Sequence, residues 1–357
     1  MKRIIFDIGH PAQVHNFKHL YRVLVNKGWK GLFTTKDKDV TIALLEKYNL
    51  PYIVIGKSGQ GIINKVLGLL RDLSNFIKIL GQFKPDIIVC RFSIHSVWGA
   101  KIKGIPVIGL ADTEHTKLVD WITIPFSSAK LTSTSYWKNL GTNHFRFRGN
   151  IELFYLHPNR YTPPPAAIPE LSLKQGQKYV LIRFVSWGAH HDIGQKGFTL
   201  ATKIKIVELL APDFKIFISS EGELPVGISQ YQVKFSPDKI HDVLAHAALY
   251  IGEGASMASE AAVLGIPSVY VNTLDVGYVL DEAKAGLVFN FRDEKGVIVQ
   301  IKELMQQNDL QKSFREKRAE FLKDKIDVTA FLTWFIEDYP HSKRILLESP
   351  DFSQTFI

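Results

Sequence analysis

Two hydrophobic rhythms alternate along this chain. Short apolar runs rich in β-branched residues, at 3–8, 30–35, 51–55, 86–90 and 106–110, are separated by longer amphipathic stretches at 14–26, 40–48, 62–83 and 96–103. The runs have the length and residue types of strands buried on both faces, and the stretches follow the helical period. Gly28 stops the first helix and Pro85 introduces the fourth run. A β-α alternation of this kind predicts a parallel sheet with helices on both faces.

Residues 151–177 break the rhythm. Their five prolines, with Pro163, Pro164 and Pro165 in succession, make a semi-rigid connector. A second β-α series opens at 178–184. It predicts strands at 215–219, 232–235, 249–251 and 268–271, and helices at 199–210, 240–245, 256–264 and 297–307. Residues 328–339 read as a terminal aromatic helix, and roughly the last 15 residues as a weakly structured tail. The expected fold class is α/β: a doubly wound, Rossmann-like domain over 1–155, a connector over 156–177, a second such domain over 178–327, and a terminal helix and tail over 328–357. Ligands bind at the carboxyl ends of the strands in such sheets, so an interdomain cleft is the expected binding place.

The richest stretch is 247–272, AALYIGEGASMASEAAVLGIPSVYVN. It reads as strand, tight turn, helix of small residues with one carboxylate, Gly stop, Pro and strand. The turn Glu253-Gly254-Ala255 lies where free helix N–H groups favour an anion such as phosphate. Glu260 follows Ser256 at i,i+4 on one face, about 6 Å along the axis. That spacing suits a nucleotide diphosphate at the helix tip with its ribose diol on the carboxylate. Glu260 could equally complement the helix dipole, and Gly254 could simply make a turn.

The C-terminal half resembles the nucleotide-binding domain of GT-B glycosyltransferases and of the related UDP-N-acetylglucosamine 2-epimerases, with Gly254, Glu260, Gly265 and Pro267 at the family spacing. It is especially similar to the undecaprenyl-pyrophosphoryl-muramoyl-pentapeptide N-acetylglucosaminyltransferase type. The segments GHPAQVHNF, ELFYLHP and RFVSWGAHHD resemble an uncharacterised GT-B-like family of bacterial and archaeal proteins. The resemblance implies a GT-B arrangement and a nucleotide-sugar donor, UDP-linked. In it Glu260 would hold the ribose hydroxyls, and Gly254, Ala255 and Ser256 would receive the diphosphate. Phe235 and Ser236 would flank the base, while Arg183 and Ser186 would face the same cleft. Arg183 could pair with a phosphate or serve a structural ion pair. The resemblance also implies that no metal or other cofactor is needed for the chemistry.

In the first half, His10 occupies the first strand-to-helix loop, and Asp112, Glu114 and His115 follow the strand at 106–110. A base among His10, Asp112 and Glu114 could take the proton of an acceptor hydroxyl, on a glycan or a lipid-linked acceptor in cell-envelope or surface-polysaccharide synthesis. Asp112 as a cap and Glu114 as a solvated group are the plain alternatives. Epimerases of this fold need two acids on the first domain. Glu114 matches one, but the strand at 86–90 is followed by Arg91-Phe92-Ser93-Ile94-His95, with no acid, so transfer is expected over epimerisation. A non-catalytic nucleotide-sugar or polyanion binder is the reading from another class.

Rival motifs are incomplete. The third Gly of G-x-G-x-x-G is replaced by Met257, and no P-loop is present. His15 and His19, and the His190-His191-Asp192 cluster, have spacing a metal could use, but no metal site is expected. Forty-four basic against 35 acidic residues give a net charge of +9, which suits an anionic ligand or surface. The apolar-basic stretch 62–83 fits either a sheet-packed helix or a peripheral membrane contact. Aromatics and bases also mix at 137–148, but no nucleic-acid module surrounds them and no nucleic-acid partner is expected. One cysteine, the lack of a long apolar run and the lack of a signal-peptide core place the expected site of action in the cytoplasm, at the inner face of the membrane if a lipid carries the acceptor.

Overall fold

The computed structural model describes residues 1–57, 62–185, 197–220 and 222–357, with backbone alone at 39, 57, 62–66 and 117. The chain divides into two compact units, Met1–Arg160 with Asp324–Ile357, and Tyr161–Lys323.

The first unit runs β1 (Arg3–Ile8), α1 (Pro11–Asn26), β2 (Lys30–Asp37), α2 (Asp39–Lys47), β3 (Tyr52–Lys57), α3 (Ile62–Phe83), β4 (Ile87–Cys90), α4 (Ile94–Lys103), β5 (Val107–Ala111), α5 (Lys117–Thr123), β6 (Ala129–Ser133), β7 (His144–Phe147) and the short α6 (Leu153–Leu156). The strands form a parallel sheet in the order β3-β2-β1-β4-β5-β6-β7. The central strands β4 and β5 are buried throughout, because helices cover both faces. Right-handed crossovers send α1 and α2 to one face and α3, α4 and α5 to the other. The order reverses between β1 and β4, which makes their carboxyl ends the switch point where a ligand is expected.

The second unit runs β8 (Tyr179–Phe184), α7 (Leu200–Leu210), β9 (Lys215–Ser220), α8 (Ile240–Leu244), β10 (Leu249–Gly252), α9 (Ala255–Leu264), β11 (Ser268–Val271), α10 (Gly277–Lys284), β12 (Val288–Phe291), α11 (Val297–Gln306) and α12 (Leu310–Leu322). Its parallel sheet has the order β12-β11-β10-β8-β9, with the switch point between β8 and β10. Gly265 ends α9 in the left-handed region at φ 77°, the stop expected from the sequence. The Pro-rich stretch after Arg160 packs within this unit: Tyr161 donates to Asp242 at 2.9 Å, Leu171 is buried, and His246 Nε2 lies 2.8 Å from the Pro164 carbonyl.

The chain then returns to the first unit as α13 (Val328–Glu337) and α14 (His341–Glu348). Arg160 and Asp327 pair at 2.7 Å where the chain leaves and re-enters that unit. Three expectations need correction. Residues 232–235 form no strand, only an isolated bridge from Gln232 to Ile218. β6, β7 and β12 were not anticipated, because Lys130, Arg146 and Asn290 interrupt their short apolar runs. The tail is ordered: α14 and a closing 3₁₀ turn carry Phe352 and Phe356 onto Trp334, with ring centroids 4.7 and 5.6 Å away.

Candidate functional site

In the first unit, the carboxyl end of β1 carries Asp7, only 2% exposed. Its carboxylate accepts from Thr34 Oγ1 at 2.7 Å, from Ser93 Oγ, and from His95 Nε2 at 3.0 Å. Burial alone would raise the Asp7 pKa, but His95 and these hydrogen bonds outweigh it and hold the carboxyl below its ordinary value. Ser93 and His95 stand at the start of α4, so the group ties the two strands of the switch point together. Burial, with the Asp7 charge adding to it, pushes the neighbouring Cys90 thiol up to about 12, where it is inert.

Between β4 and α4, Phe92 is held at φ 53°, unusual for a side chain of that size. Its ring lies over Gly109 of β5, where a Cβ would stand 2.1 Å from a ring carbon. This turn aims Arg91 at β5: Nε donates to the Leu110 carbonyl at 3.1 Å and Nη2 binds the Asp112 carboxylate.

The Asp112–His115 loop therefore does not present three equivalent groups. Asp112 is ion-paired with Arg91, Glu114 is 2% exposed, and His115 is exposed with its ring edge-on to Trp137. Glu114, Asp112 and Arg91 all bear on Tyr136, whose pKa is raised first by burial and then by Asp120, Glu114 and Asp112, with Arg91 opposing. His10 is exposed and caps α1, its Nδ1 accepting from the Ala12 amide at 3.2 Å, with Pro11 in the first helical turn.

In the second unit, β10 delivers Gly254 as the N-cap of α9. No side chain among the described residues caps it, and its first turn carries no acidic residue. Ala255 and Ser256 are half-buried there. Glu260, 4% exposed, lies one turn further, with Oε1 3.0 Å from His241 Nε2 on α8. The Tyr161 ring sits edge-on to His241. Glu253 immediately precedes the N-cap. It is buried and accepts from the Val185 and Phe198 amides at 3.0 and 2.7 Å, which assigns it a bracing role. Arg183 Nη1 donates to Ser219 Oγ at 2.7 Å, on the β9 side of its strand. Phe235 is half-buried and Ser236 exposed ahead of α8, with the Ser236 hydroxyl on Asp238. Ser186 and the His190-His191-Asp192 cluster lie outside the described residues. Among the described residues no group of three or more His, Cys, Asp or Glu could hold a metal ion.

The sequence did not point to Asp7, Ser93, His95 or His241. The one available signal was a charge inside the apolar run RIIFDI.

A family model described as a protein of unknown function, DUF354, matches residues 2–329. The chain belongs to this family. The DUF354 chain is 23% identical over 276 residues to the uncharacterized protein MJ0665 of Methanocaldococcus jannaschii, covering 74% of this chain and 80% of that protein. It is similar in structure to the UDP-GlcNAc 2-epimerase of Neisseria meningitidis solved with UDP-GlcNAc, at a TM-score of 0.62 and 12% identity over 97% of this chain and 99% of the other. It is also similar to the glycosyltransferase SsfS6 of Streptomyces sp. SF2575 solved with thymidine diphosphate, at 0.59 and 13% over 94% and 99%. At these identities the likeness shows the fold: DUF354 has the two successive α/β units of GT-B glycosyltransferases and UDP-GlcNAc 2-epimerases.

Proposed function

We propose that this DUF354 chain is a glycosyltransferase-like enzyme that moves a sugar from a UDP-linked donor to an acceptor hydroxyl on a glycan or lipid-linked molecule in cell-envelope or surface-polysaccharide synthesis. The observation that supports this reading is the end of β10, where, among the described residues, a helix N-terminus with no side-chain cap and no acid in its first turn is followed one turn on by the buried Glu260–His241 pair. The N–H groups of Gly254, Ala255 and Ser256 would take the diphosphate and offset the charge developing on it as it leaves. Glu260, oriented by His241, would accept the ribose diol. The ligands in the two similar structures belong to the same chemical class.

Three groups of the first unit were candidates for the base. His10 uses Nδ1 to accept from Ala12, so a neutral ring carries its proton on Nε2 and acts as a donor. The Asp112 charge is committed to Arg91. Glu114 is then the group we assign as base toward the acceptor hydroxyl.

An epimerase must remove and return a carbon-bound proton. Asp7 does bring a carboxylate to the end of β4, which the sequence order concealed. Held low by His95 and occupied by three donors, it is a weak base for that task. With UDP-N-acetylglucosamine in deuterium oxide, we expect no deuterium at C2 and slow release of UDP, reduced by about 10²–10⁴ in Glu114→Gln. Deuterium at C2 that vanishes in Glu114→Gln would replace transfer by epimerisation.

A further inference from the structure

The geometry points to a small-molecule site at the amino edge of the first unit's sheet, one that takes an aromatic carboxylate. There the ends of α1 and α3 come down beside the starts of β1, β2 and β3 and leave a cavity of about 480 Å³. That volume is in the range of small-molecule sites, which pair apolar walls with a few placed polar groups. Tyr21, Trp29 and Phe83 supply aromatic walls, and Val25, Leu32 and Pro51 aliphatic ones. The walls are held by packing. The Tyr21 ring rests on β2, where a Cβ at Gly31 would stand 2.6 Å from it, and its centroid is 5.5 Å from that of Phe33. Trp29 is only 8% exposed.

Charge selects the occupant. Among the described residues no acid lines the cavity, but Arg3 and Lys30 both do. They are register partners on β1 and β2, so their side chains leave the same face of the sheet side by side. Neither makes an ion pair among the described residues. Arg3 Nη1 donates to the Phe83 carbonyl at 2.8 Å, and Lys30 is exposed. Asp86 accepts from the Arg3 amide at 2.7 Å but is not part of the lining. The Lys2 ammonium adds a third charge, 5.2 Å from the centre of the Trp29 ring. Three aromatic side chains beside an unbalanced guanidinium and ammonium match a flat ring that ends in a carboxylate. The ring packs on the aromatic walls, and the carboxylate accepts from the remaining N–H groups of Arg3 and from Lys30. An aliphatic acid would meet the same charges but leave the ring faces without an aromatic partner.

The cavity is separate from the groups assigned to sugar transfer. Arg3 stands at the amino end of β1 and Asp7 near its carboxyl end, four residues on, about 13 Å of strand. Binding there uses neither the α9 turn nor the Asp112–His115 loop, and it does not depend on the transfer reaction.

The test is calorimetric titration of the full chain with naphthalene-2-carboxylate, beside the neutral naphthalene-2-carboxamide and the aliphatic octanoate. The variants are Arg3→Gln/Lys30→Gln, which removes both cations, and Val25→Trp, which fills the cavity from α1. Melting temperature and elution volume check their fold, and Lys30→Gln alone, at an exposed position, serves if the double variant does not fold. We expect the wild type to bind the naphthoate saturably at one site. The carboxamide, and the naphthoate with the double variant, should each bind at least about tenfold more weakly, since a charge-assisted hydrogen bond is lost. Octanoate should bind more weakly for want of ring contacts, and Val25→Trp should not bind the naphthoate. No saturable binding by the wild type overturns the proposal, as do folded variants that bind like it. So does a carboxamide or octanoate bound as tightly as the naphthoate. Displacement of the naphthoate by UDP also overturns it, since the probe would then occupy the nucleotide site of the second unit.

Discussion

Replacing Asp7 by Asn tests the reasoning about the first unit most sharply. The carboxylate accepts from Thr34, Ser93 and His95, while the amide keeps one acceptor oxygen and turns an NH₂ toward groups that are themselves donors. Leaving buried donors without their acceptor costs about 1–3 kcal/mol. For a unit of this size that lowers Tm by roughly 2–12 °C. The pH dependence has a definite sign. The Asp7 pKa in the folded state lies below its ordinary value of 3.8. Its contribution is therefore complete above the unfolded value and is lost as pH falls through the lower folded one. Calorimetric scans at neutral pH should show the drop in Tm. A series of acid scans should show a shallower loss of stability in Asp7→Asn than in the wild type, because the variant has no carboxylate there to protonate. A drop equivalent to less than about 1 kcal/mol, or an acid limb identical to the wild type, would refute the account of this cluster.

Two further outcomes follow from the same kind of contact. Gly109→Ala places a Cβ 2.1 Å from the Phe92 ring, so the urea midpoint should fall by the equivalent of about 1–3 kcal/mol, and an unchanged midpoint would show that the β4–α4 turn adapts freely. Glu253→Gln leaves one of the two amides it binds facing an NH₂, so amide exchange at Val185 or Phe198 should quicken at a cost of about 1–3 kcal/mol, and unaltered exchange at both would deny the brace.

The architecture was legible because parallel strands buried on both faces read as uninterrupted apolar runs and the helices between them keep their period. It failed where a polar residue sits inside a strand. Lys130 of β6 is buried, yet its ammonium reaches the Thr142 carbonyl at 2.7 Å, which no local pattern reveals. It failed again at the C-terminus, where Phe352 and Phe356 are sparse in sequence but converge on Trp334. At the site, Glu260 and the α9 turn could be found from spacing, which is a local property. The partners that define the chemistry could not. His241 comes from a different helix, Arg91 reaches Asp112 across two strands, and Asp7 meets His95 from another part of the sheet. Adjacency of that kind is created by strand order, and strand order is not written in any one segment.

The central claim is that the end of β10 and the first turns of α9 hold a nucleotide diphosphate through backbone N–H groups and Glu260. Calorimetric titration of UDP into the wild type and into Glu260→Gln measures it directly. The account predicts saturable single-site binding that Glu260→Gln weakens by about 1.5–3 kcal/mol, roughly ten- to a hundredfold in Kd, at a melting temperature that still shows a folded protein. Equal affinity in the two proteins, or no binding of UDP by the wild type, would contradict it.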